Sequence, residues 1–566
     1  MAAEVRPVAP DPATARAARE VFERVAALLP EAARIAWSAL DEEDRVREAE
    51  DDFQAQRSAS AEAKWSAILT ALSPEDPSRC HAALRVAQSV RKLREHARAA
   101  GLFDAAIEAC AQSPERVEAV FLAARSYESA GDAPTAIARF ETLEHDFASH
   151  SYADDARLRR AELLRESGDE SGFRTAAETL ATDFPDGDMR GEALFRLATW
   201  ARTKHDLPHA LAYLDEHLLR VPREDGFRTA GRTLYWRGRV LLDMGRAADA
   251  NESWRRAFRE YPFSFYSLLA LARLEASDGA LARALLGELS AHSQDAEGWR
   301  FPLDDTLRGE PFRRVVELLR LGLREEAIAE LDALGFDRTD APEARRWLVA
   351  VLLARAGDLR RSHEIVRRGI EGWERRPPVG ADRKRWVLAY PRPYAEVVAA
   401  AAGAENLPPD LLLAFMREES AFDPRVESGS NAVGLMQLIA PTARRFATPL
   451  QLPHDARSLR RPDVNVRIGA AFVRFLFDQF DETLPLAVAG YNAGETAVGR
   501  WLDACPSGRT ATQSLDEWVE SIPIDETRGY TKRVISTYAI YRFLDGGVDA
   551  IPRIPATIER PSCASR

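Results

Sequence analysis

Two adjacent glutamates, Glu418 and Glu419, end an apolar segment and are followed directly by Ser420. A carboxylic acid on a rigid apolar helix can protonate the leaving oxygen of a glycosidic bond. Successive helical residues point about 100° apart, so only one of the two carboxyl groups can face a cleft. An acid that donates a proton near neutral pH needs a raised pKa, which burial against apolar side chains supplies.

The apolar segment before these acids is predicted to be a helix that starts at residues 408–410. Proline is tolerated in the first turn of a helix, and Asp410 there suits the positive end of the helix dipole. A polar loop follows the helix. After the loop come Leu435 and Met436, which are candidates for an apolar wall beside the acid.

Four blocks of sequence occur in order in the last third of the chain. They read AYPRPY at 389–394, MREES at 416–420 with GLMQL at 434–438, GYNAG at 490–494, and IPIDETRGYTKRV at 522–534. Together they resemble the catalytic-domain signature of the soluble lytic transglycosylases, which are relatives of goose-type lysozyme. Four ordered blocks are a far more specific signal than a single Glu-Ser pair.

The resemblance implies a fold and an acid. The fold is all-α, with an N-terminal superhelical solenoid of degenerate tetratricopeptide-like hairpins before a lysozyme-like catalytic domain. The family's acid stands immediately before a serine, which makes Glu419 the catalytic residue. Glu418 stands where many relatives carry Gln, and we expect it to be exposed or to lie behind the acid. Ile439 replaces a second Met of some soluble relatives, which keeps the cleft wall apolar.

The resemblance also assigns substrate-binding roles, to Ser428, Met436, Gln437, Tyr491, Asn492, Glu526 and Tyr530. Ser428 is expected to hydrogen-bond the substrate's N-acetyl group. The alternative role is that of an ordinary serine that caps the loop. Met436 either binds or packs, and Asn492 either binds glycan or holds its loop. Gln437 has amide donors and acceptors suited to sugars, and Tyr491 offers a flat face to a pyranose.

The implied reaction is cleavage of the β-1,4 bond between N-acetylmuramic acid and N-acetylglucosamine in peptidoglycan strands. Glu419 acts as acid and then as base, so that the C6 hydroxyl closes a 1,6-anhydromuramoyl end without water. Glu526 is expected to be structural or to orient the saccharide, and Tyr530 to line the cleft. A goose-type muramidase would hydrolyse the same bond with a second carboxylate, for which Glu427 and Asp423 offer no compelling case. The remaining alternative is a noncatalytic glycan-binding scaffold.

Composition and charge limit the partners. The chain has 566 residues, which predicts two or more cores, and a net charge of −12 argues against nonspecific nucleic-acid binding. Ten histidines and four cysteines show no ligand spacing, so we expect no metal and no cofactor. Cys80 and Cys110 are predicted to be core residues of helices. Whether Cys505 and Cys563 form a disulfide is left open by the sequence. Further protein partners in the cell wall also stay open.

The sequence predicts no membrane-spanning segment, because no apolar run reaches about 18 residues. The first twenty residues contain no apolar signal core. The resemblance nevertheless implies the periplasm, which would require an export signal that was trimmed or that precedes the assigned start. A cytoplasmic location is the alternative.

Residues 1–390 read as successive helices with an internal repeat. Breaks at Gly131, Gly168 and His205 are spaced by 37 residues, and Gly245 follows 40 residues later. Glycine at these breaks suits a left-handed helix end, and neighbouring hairpins would bury each other's apolar faces. We therefore expect a helical-repeat solenoid at 1–300, a helical linker region at 301–385, the catalytic domain at 386–546 and a loose tail at 547–566.

Overall fold

A computed structural model describes residues 41–559 except positions 186, 292–300, 302–303, 337, 339 and 504–511. Helices dominate the described residues, which confirms the predicted all-α class. The chain divides into two compact units, residues 1–200 and residues 201–566. In the described part of the chain, no helix has both the length and the apolar character needed to cross a membrane.

The first unit is a row of helices in which each helix from α1 to α8 packs against the next. This arrangement is the expected stack of helical hairpins, with large side chains such as Trp65, Phe103, Phe140 and Phe173 fully buried. Its helices are α1 (Glu42–Gln54), α2 (Ser58–Ala71), α3 (Ser78–Lys92), α4 (His96–Ala109), α5 (Arg116–Ala130), α6 (Ala133–Asp146), α7 (Tyr152–Glu166) and α8 (Glu170–Asp183), and α9 (Arg190–Thr203) continues past residue 200.

The repeated breaks have one turn geometry. Gly131 and Gly168 take left-handed φ angles of 83° and 90°. The aspartate after each of them accepts a hydrogen bond from a backbone N–H in the first turn of the next helix. In the second unit, His205 has φ 59° and Asp206 caps the following helix in the same way. What recurs at each of these breaks is a left-handed helix end followed by an aspartate that caps the next helix.

Cys80 and Cys110 form a disulfide, with their Cα atoms 4.6 Å apart. Both residues are buried, as expected of core cysteines. Their pairing went unpredicted because neighbouring helices α3 and α4 bring together residues 30 positions apart. Cys505 and Cys563 lie outside the described residues.

The second unit begins with further helices that pack in sequence. From α10 to α14, each helix packs against the next one in the chain. The same holds from α16 to α19. The helices are α10 (Leu207–Arg220), α11 (Arg232–Asp243), α12 (Ala247–Glu260), α13 (Phe265–Ser277), α14 (Gly279–Ala291), α15 (Asp305–Arg308), α16 (Glu310–Arg320), α17 (Arg324–Ala333), α18 (Glu343–Ala356), α19 (Leu359–Gly369) and α20 (Arg383–Ala389). Short 3-10 turns at Trp373–Arg375 and Gly380–Asp382 precede α20.

The remaining helices pack around one long helix. That helix, α28, contacts both α22 and α25, and α24 packs against α21, α23 and α25. The elements are α21 (Ala395–Ala404), α22 (Pro409–Ser420), α23 (Ala440–Ala447), a 3-10 turn (Ser458–Arg460), α24 (Pro462–Gln479), α25 (Leu484–Ala493), α26 (Glu495–Asp503), β1 (Thr512–Ser514), α27 (Leu515–Ser521), α28 (Asp525–Gly546), a 3-10 turn (Gly547–Ala550) and β2 (Thr557–Glu559).

The described part of the expected loose tail is structured. β2 pairs antiparallel with β1, and Ile558 faces Gln513 in the register. Ile551, Ile554 and Ile558 are at most 3% exposed. The prediction of a loose tail was wrong for residues 547–559. It was based on the prolines, whereas the spaced isoleucines pack into the interior. Residues 560–566 lie outside the described part.

A buried carboxylate joins α27 to helices α11 and α13. Asp516 is 1% exposed and accepts hydrogen bonds from Tyr235 of α11 and from Arg239 of the same helix. Arg273 of α13 adds an Nη2 contact at 3.2 Å, and Ser514 Oγ donates at 2.5 Å. Because an unpaired buried charge is costly, these partners hold the start of α27 firmly against α11 and α13.

Lys532 of α28 makes a second buried connection to α13. Its Nζ donates to Tyr266 Oη at 2.6 Å and to Glu520 Oε1 at 2.8 Å. Tyr266 Oη also donates to Glu520. Lys532 lies within one helical turn of Tyr530 on α28, so these contacts connect α13 to that segment of α28.

Candidate active site

Helix α22 presents the two glutamates at its C-terminal end. The side chains from Leu411 to Met416 are at most 2% exposed, because α22 packs against α21 and α28. Ala421 takes a left-handed φ of 48° and ends the helix. Ser420 Oγ lies 3.0 Å from Met416 O and 2.8 Å from Leu435 O. The helix is thereby joined to the apolar wall predicted beside the acid.

Glu419 is a partly buried acid with one direct hydroxyl partner. Tyr530 Oη donates a hydrogen bond of 2.5 Å to Glu419 Oε1. Burial raises the pKa of Glu419 to about 7, and the negative charge of Glu418 contributes to the increase, while the Tyr530 hydrogen bond and the charge of Arg533 act against it. Near neutral pH the carboxyl group therefore populates both its protonated and its ionised form.

Tyr491 lies near the acid within an aromatic cluster. Its ring centroid is 4.6 Å from that of Phe415 and 4.9 Å from that of Phe472. Its hydroxyl donates to Met436 O at 2.7 Å. Burial, and then the charge of Glu419, raise the pKa of Tyr491 well above its ordinary value. The hydroxyl therefore stays protonated and fixes the Gly-Leu-Met-Gln segment.

That segment depends on a buried asparagine that sequence reasoning missed. Asn465 of α24 is fully buried. Its Oδ1 accepts from Met436 N at 2.8 Å, and its Nδ2 donates to Val433 O and Leu459 O, both at 2.9 Å. Gly434 passes so close that a Cβ would lie 2.4 Å from Leu459 O. The available signal was a single Asn within the apolar run of α24.

Met436 and Gln437 occupy different environments within this segment. Met436 is fully buried, so its side chain packs, which is one of the two expected alternatives. Gln437 is partly exposed with a left-handed φ of 44°. Its Nε2 donates to Val426 O at 3.1 Å and to Gly434 O at 2.9 Å. The amide nitrogen thus holds the loop.

Ser428 caps the polar loop between α22 and the Gly-Leu-Met-Gln segment. Its Oγ accepts from Ala432 N at 3.1 Å and lies 3.0 Å from Ser430 Oγ. Its backbone N–H donates to Ala432 O at 3.0 Å. Ser428 remains partly exposed.

The motif blocks on α25 and α28 are joined by a hydrogen bond. Thr527 Oγ1 donates to Asn492 Oδ1 at 2.6 Å, which connects the Tyr-Asn-Ala-Gly block to the Glu-Thr-Arg-x-Tyr block. Glu526 is exposed, and its charge raises the pKa of Glu419 slightly through space. Tyr530 is 3% exposed and has its hydroxyl on the acid.

The two carboxylates weighed as a second acid have other partners. Glu427 Oε2 accepts a hydrogen bond of 2.6 Å from Arg460 Nη2, and both side chains are about two-fifths exposed. Asp423 Oδ1 accepts from Arg425 N at 2.9 Å, so this carboxylate caps the turn after α22. Neither group is in hydrogen-bond contact with Glu419.

Glu418 lies in a cage of arginines, and the expectation that it could be exposed was wrong. Its side chain is fully buried. Arg417 Nη1 lies 2.5 Å from Oε1, and Arg367 Nη2 of α19 lies 3.1 Å from Oε2. Arg533 Nε lies 3.6 Å from Oε2. Arg417 directly precedes Glu418, whereas Arg367 and Arg533 come from other helices, which is why this set of partners was not predicted.

One group of carboxylates in the described residues could offer three oxygen ligands to a cation: Asp154, Asp155 and Asp188. Asp154 Oδ2 already accepts from Met189 N at 3.0 Å. The group belongs to the first unit, whereas the candidate active site belongs to the second.

Parts of the chain are similar in sequence to known proteins. Residues 396–513 match the family model "Transglycosylase SLT domain". The chain is 39% identical over 158 residues to a putative soluble lytic murein transglycosylase of Haemophilus influenzae, covering 28% of this chain and 26% of that protein. It is 28% identical over 342 residues to the soluble lytic murein transglycosylase of Escherichia coli K12, covering 59% and 46%. The matches span less than half the length of these relatives.

One solved structure supports the fold over nearly the whole chain. It is the complex of a 70-kDa soluble lytic transglycosylase with bulgecin A, with a TM-score of 0.53 and 19% sequence identity. The match covers 96% of this chain and 86% of that chain. The combination of helical hairpins with a lysozyme-like region is therefore a known architecture.

Proposed function

We propose that this chain is a peptidoglycan lytic transglycosylase of the soluble lytic murein transglycosylase family, a proposal supported by its match to the transglycosylase SLT family model and by its similarity to soluble lytic murein transglycosylases. The bond cleaved is the β-1,4 bond between N-acetylmuramic acid and N-acetylglucosamine. The product carries a 1,6-anhydromuramoyl end. The observation that carries the proposal is Glu419, a partly buried acid with a pKa raised to about 7 at the Glu-Ser position of the family signature.

Glu419 performs both proton transfers in this proposal. Its protonated carboxyl group first donates to the leaving glycosidic oxygen, which a pKa near the working pH favours. The substrate's own N-acetyl oxygen stabilises the positive anomeric carbon. The carboxylate then accepts the proton of the C6 hydroxyl, whose oxygen attacks that carbon. A tethered hydroxyl competes well with water, since intramolecular reactions reach effective concentrations of about 10⁵–10⁸ M.

The surroundings of the other nearby acids support a one-acid reaction. Hydrolysis with a second carboxylate requires that group to be free to bind water or attack the sugar. Glu427 is paired with Arg460, and Asp423 caps a turn. Direct hydrogen-bond contact with Glu419 comes instead from Tyr530, a neutral phenol that can orient the carboxyl in both of its forms.

Substrate contacts are proposed for the residues of the family motifs around this acid. Ser428 and the amide oxygen of Gln437 are the polar contacts, because Ser428 is partly exposed and the amide nitrogen of Gln437 is held by the loop. Tyr491 and Met436 shape the apolar wall. The remaining proposed contacts are Asn492, Glu526 and Tyr530.

The location and the domain boundaries are proposals as well. A disulfide between Cys80 and Cys110 is typical of an oxidising compartment, which supports the periplasm. We retain residues 386–546 as the catalytic domain, residues 1–300 as the helical-repeat region and residues 301–385 as the helical linker region.

Mass spectrometry of the soluble products released from purified peptidoglycan tests the proposed reaction. Muropeptides one water lighter than their reducing counterparts are expected. Reducing products would replace the proposal with hydrolysis, and intact binding without products would replace it with a scaffold.

Substitution of the acid tests its assignment. Glu419→Gln keeps the size and a polar group but cannot donate or accept the proton, so turnover should fall to background while peptidoglycan binding and the melting temperature stay close to wild type. Glu427→Gln is the matched control and should retain turnover. Undiminished turnover in Glu419→Gln would contradict the assignment.

A further inference from the structure

A cavity of about 620 Å³ lies between α18, α20 and the C-terminal end of α28. That volume falls within the range of about 300–1,000 Å³ that is usual for small-molecule sites. Apolar residues form most of its wall, among them Val351 and Ala354 of α18, Val387 and Leu388 of α20, and Leu544 of α28. None of these residues belongs to the candidate active site, so the proposed reaction does not account for the cavity.

The two shorter helices present these apolar residues outside the core of the protein. On α18, Val349 and Leu353 are buried in the core of the helical row, whereas Val351 is only partly buried. On α20, Trp386 is 3% exposed while the next residue, Val387, is 48% exposed. The cavity wall is therefore an apolar surface in contact with solvent.

The cavity also carries positive charge. Arg355 of α18 and Lys384 of α20 line it, and both are exposed. Within the described residues, neither charged group has an ion-pair or hydrogen-bond partner. A third cation, Arg392, is paired with Asp410 at 2.6 Å. No Asp or Glu of the described chain lines the cavity, so two cations are available to an anionic ligand.

The residue types of the wall favour an alkyl chain over a peptide. Besides the three cations and the phenol of Tyr390, the lining residues have apolar side chains, and none carries a carboxylate or an amide. A peptide would bring backbone N–H groups that need acceptors when they are buried. An alkyl chain has no polar group to satisfy, and its burial is favourable in proportion to the apolar area removed from water.

We propose that this cavity binds a single alkyl chain with an anionic head. The chain packs between α18 and α20, against Val351, Val387 and Leu544. The head, a carboxylate or a phosphate, pairs with Arg355 and Lys384. Fatty acids and acyl lipids have this chemistry. The inference goes beyond the proposed function and does not depend on it, because binding here requires no cleavage of peptidoglycan.

Isothermal titration calorimetry of the full chain, without peptidoglycan, tests the head group. Sodium dodecanoate and dodecyl phosphate, both below their micelle concentrations, distinguish a carboxylate head from a phosphate head. Saturable binding of at least one of them is expected, with dodecyltrimethylammonium about tenfold weaker because the cations repel its head. Absence of saturable binding by both anionic compounds would overturn the inference, and so would equal binding of the cationic one.

The length of the alkyl chain tests the apolar wall. Each buried CH₂ group increases affinity about fourfold. The ten-carbon analogue of the compound that binds should therefore be about fifteenfold weaker than the twelve-carbon compound. Equal affinity of the two would mean that the chain stays in water, which contradicts the proposed packing.

Two sets of variants locate the binding in this cavity. Arg355→Glu combined with Lys384→Glu reverses both cations and should weaken binding about tenfold or more. Arg313→Glu, which changes an exposed arginine of α16 outside the cavity, is the matched control. Val387→Asp places a carboxylate in the wall and should weaken binding as strongly, whereas Leu219→Asp changes a side chain of α10 that is 82% exposed and should not.

Melting temperatures show which variants fold, and they should stay near wild type because every substituted side chain is exposed. Wild-type affinity in the folded double variant, or in folded Val387→Asp, would overturn the inference. Should one of these two variants fail to fold, the other decides.

Discussion

Tyr530→Phe removes the hydrogen bond that this tyrosine donates to the proposed acid while keeping the aromatic ring. The phenol donates to Glu419 Oε1 at 2.5 Å and stabilises the ionised carboxylate, which lowers its pKa. Without the hydroxyl, the protonated form is favoured and the pKa of Glu419 rises. Because the first step uses the protonated form, the alkaline limb of kcat/KM should move to higher pH.

The size of the movement follows from the strength of the bond. A hydrogen bond to a charged group contributes about 1.5–3 kcal/mol, and about 1.4 kcal/mol corresponds to one pH unit. A movement of roughly two pH units is therefore the upper limit. The protonated carboxyl also bonds to the wild-type hydroxyl, so the difference between the two forms is smaller, and we expect about one pH unit.

The assay is the pH profile of anhydromuropeptide release between neutral and alkaline pH. Tyr491→Phe is the matched control, because its hydroxyl donates to Met436 O rather than to the acid, and its alkaline limb should stay in place. A limb that moves to lower pH in Tyr530→Phe, or that moves equally in both variants, would refute the role given to this hydrogen bond.

Further predictions concern the scaffold of the site. Asn465→Ala leaves three buried backbone groups without their partner. The free energy of unfolding, measured by urea denaturation, should fall by about 3 kcal/mol or more, and a fall below about 1 kcal/mol would contradict this role of Asn465. Gly434→Ala forces a Cβ to 2.4 Å from Leu459 O and should lower the melting temperature, whereas Gly499→Ala, with nothing within 4 Å, should not. Cys80→Ser should lower the free energy of unfolding by about 2–4 kcal/mol, an effect that a reducing agent should reproduce in the wild type but not in the variant.

The sequence predicted the elements whose signals are local. The helix before Glu419, the glycine-type breaks and the order of the motif blocks all depend on residues close together in the chain. His205 shows how far such a pattern reaches, because it takes the left-handed turn of the glycine repeat without being glycine. Asp206 then caps the next helix as its counterparts do.

Contacts between distant segments were not predictable from one sequence. Arg367 and Glu418 are 51 positions apart, and nothing in either local pattern points to the other. The same holds for Asn465, which meets Met436 only after α24 has packed against its neighbours. The roles of Ser428, Gln437 and Asn492 as substrate contacts stay predictions. Their hydrogen bonds within the protein explain where these side chains lie but do not identify what they bind.

The buried Asp516 makes the boundary at residue 386 a poor place to cut the gene. Expressed from that point, the C-terminal fragment would lose Tyr235, Arg239 and Arg273, and the face of α27 that carries Asp516 would be exposed to solvent without these partners. Deleting residues 551–559 would also remove the strand that pairs with 512–514. A chimera that grafts this catalytic region onto another helical array must therefore carry α11, α13 and the final strand with it. The part of the chain that must be kept together is therefore larger than the region that carries the sequence motifs.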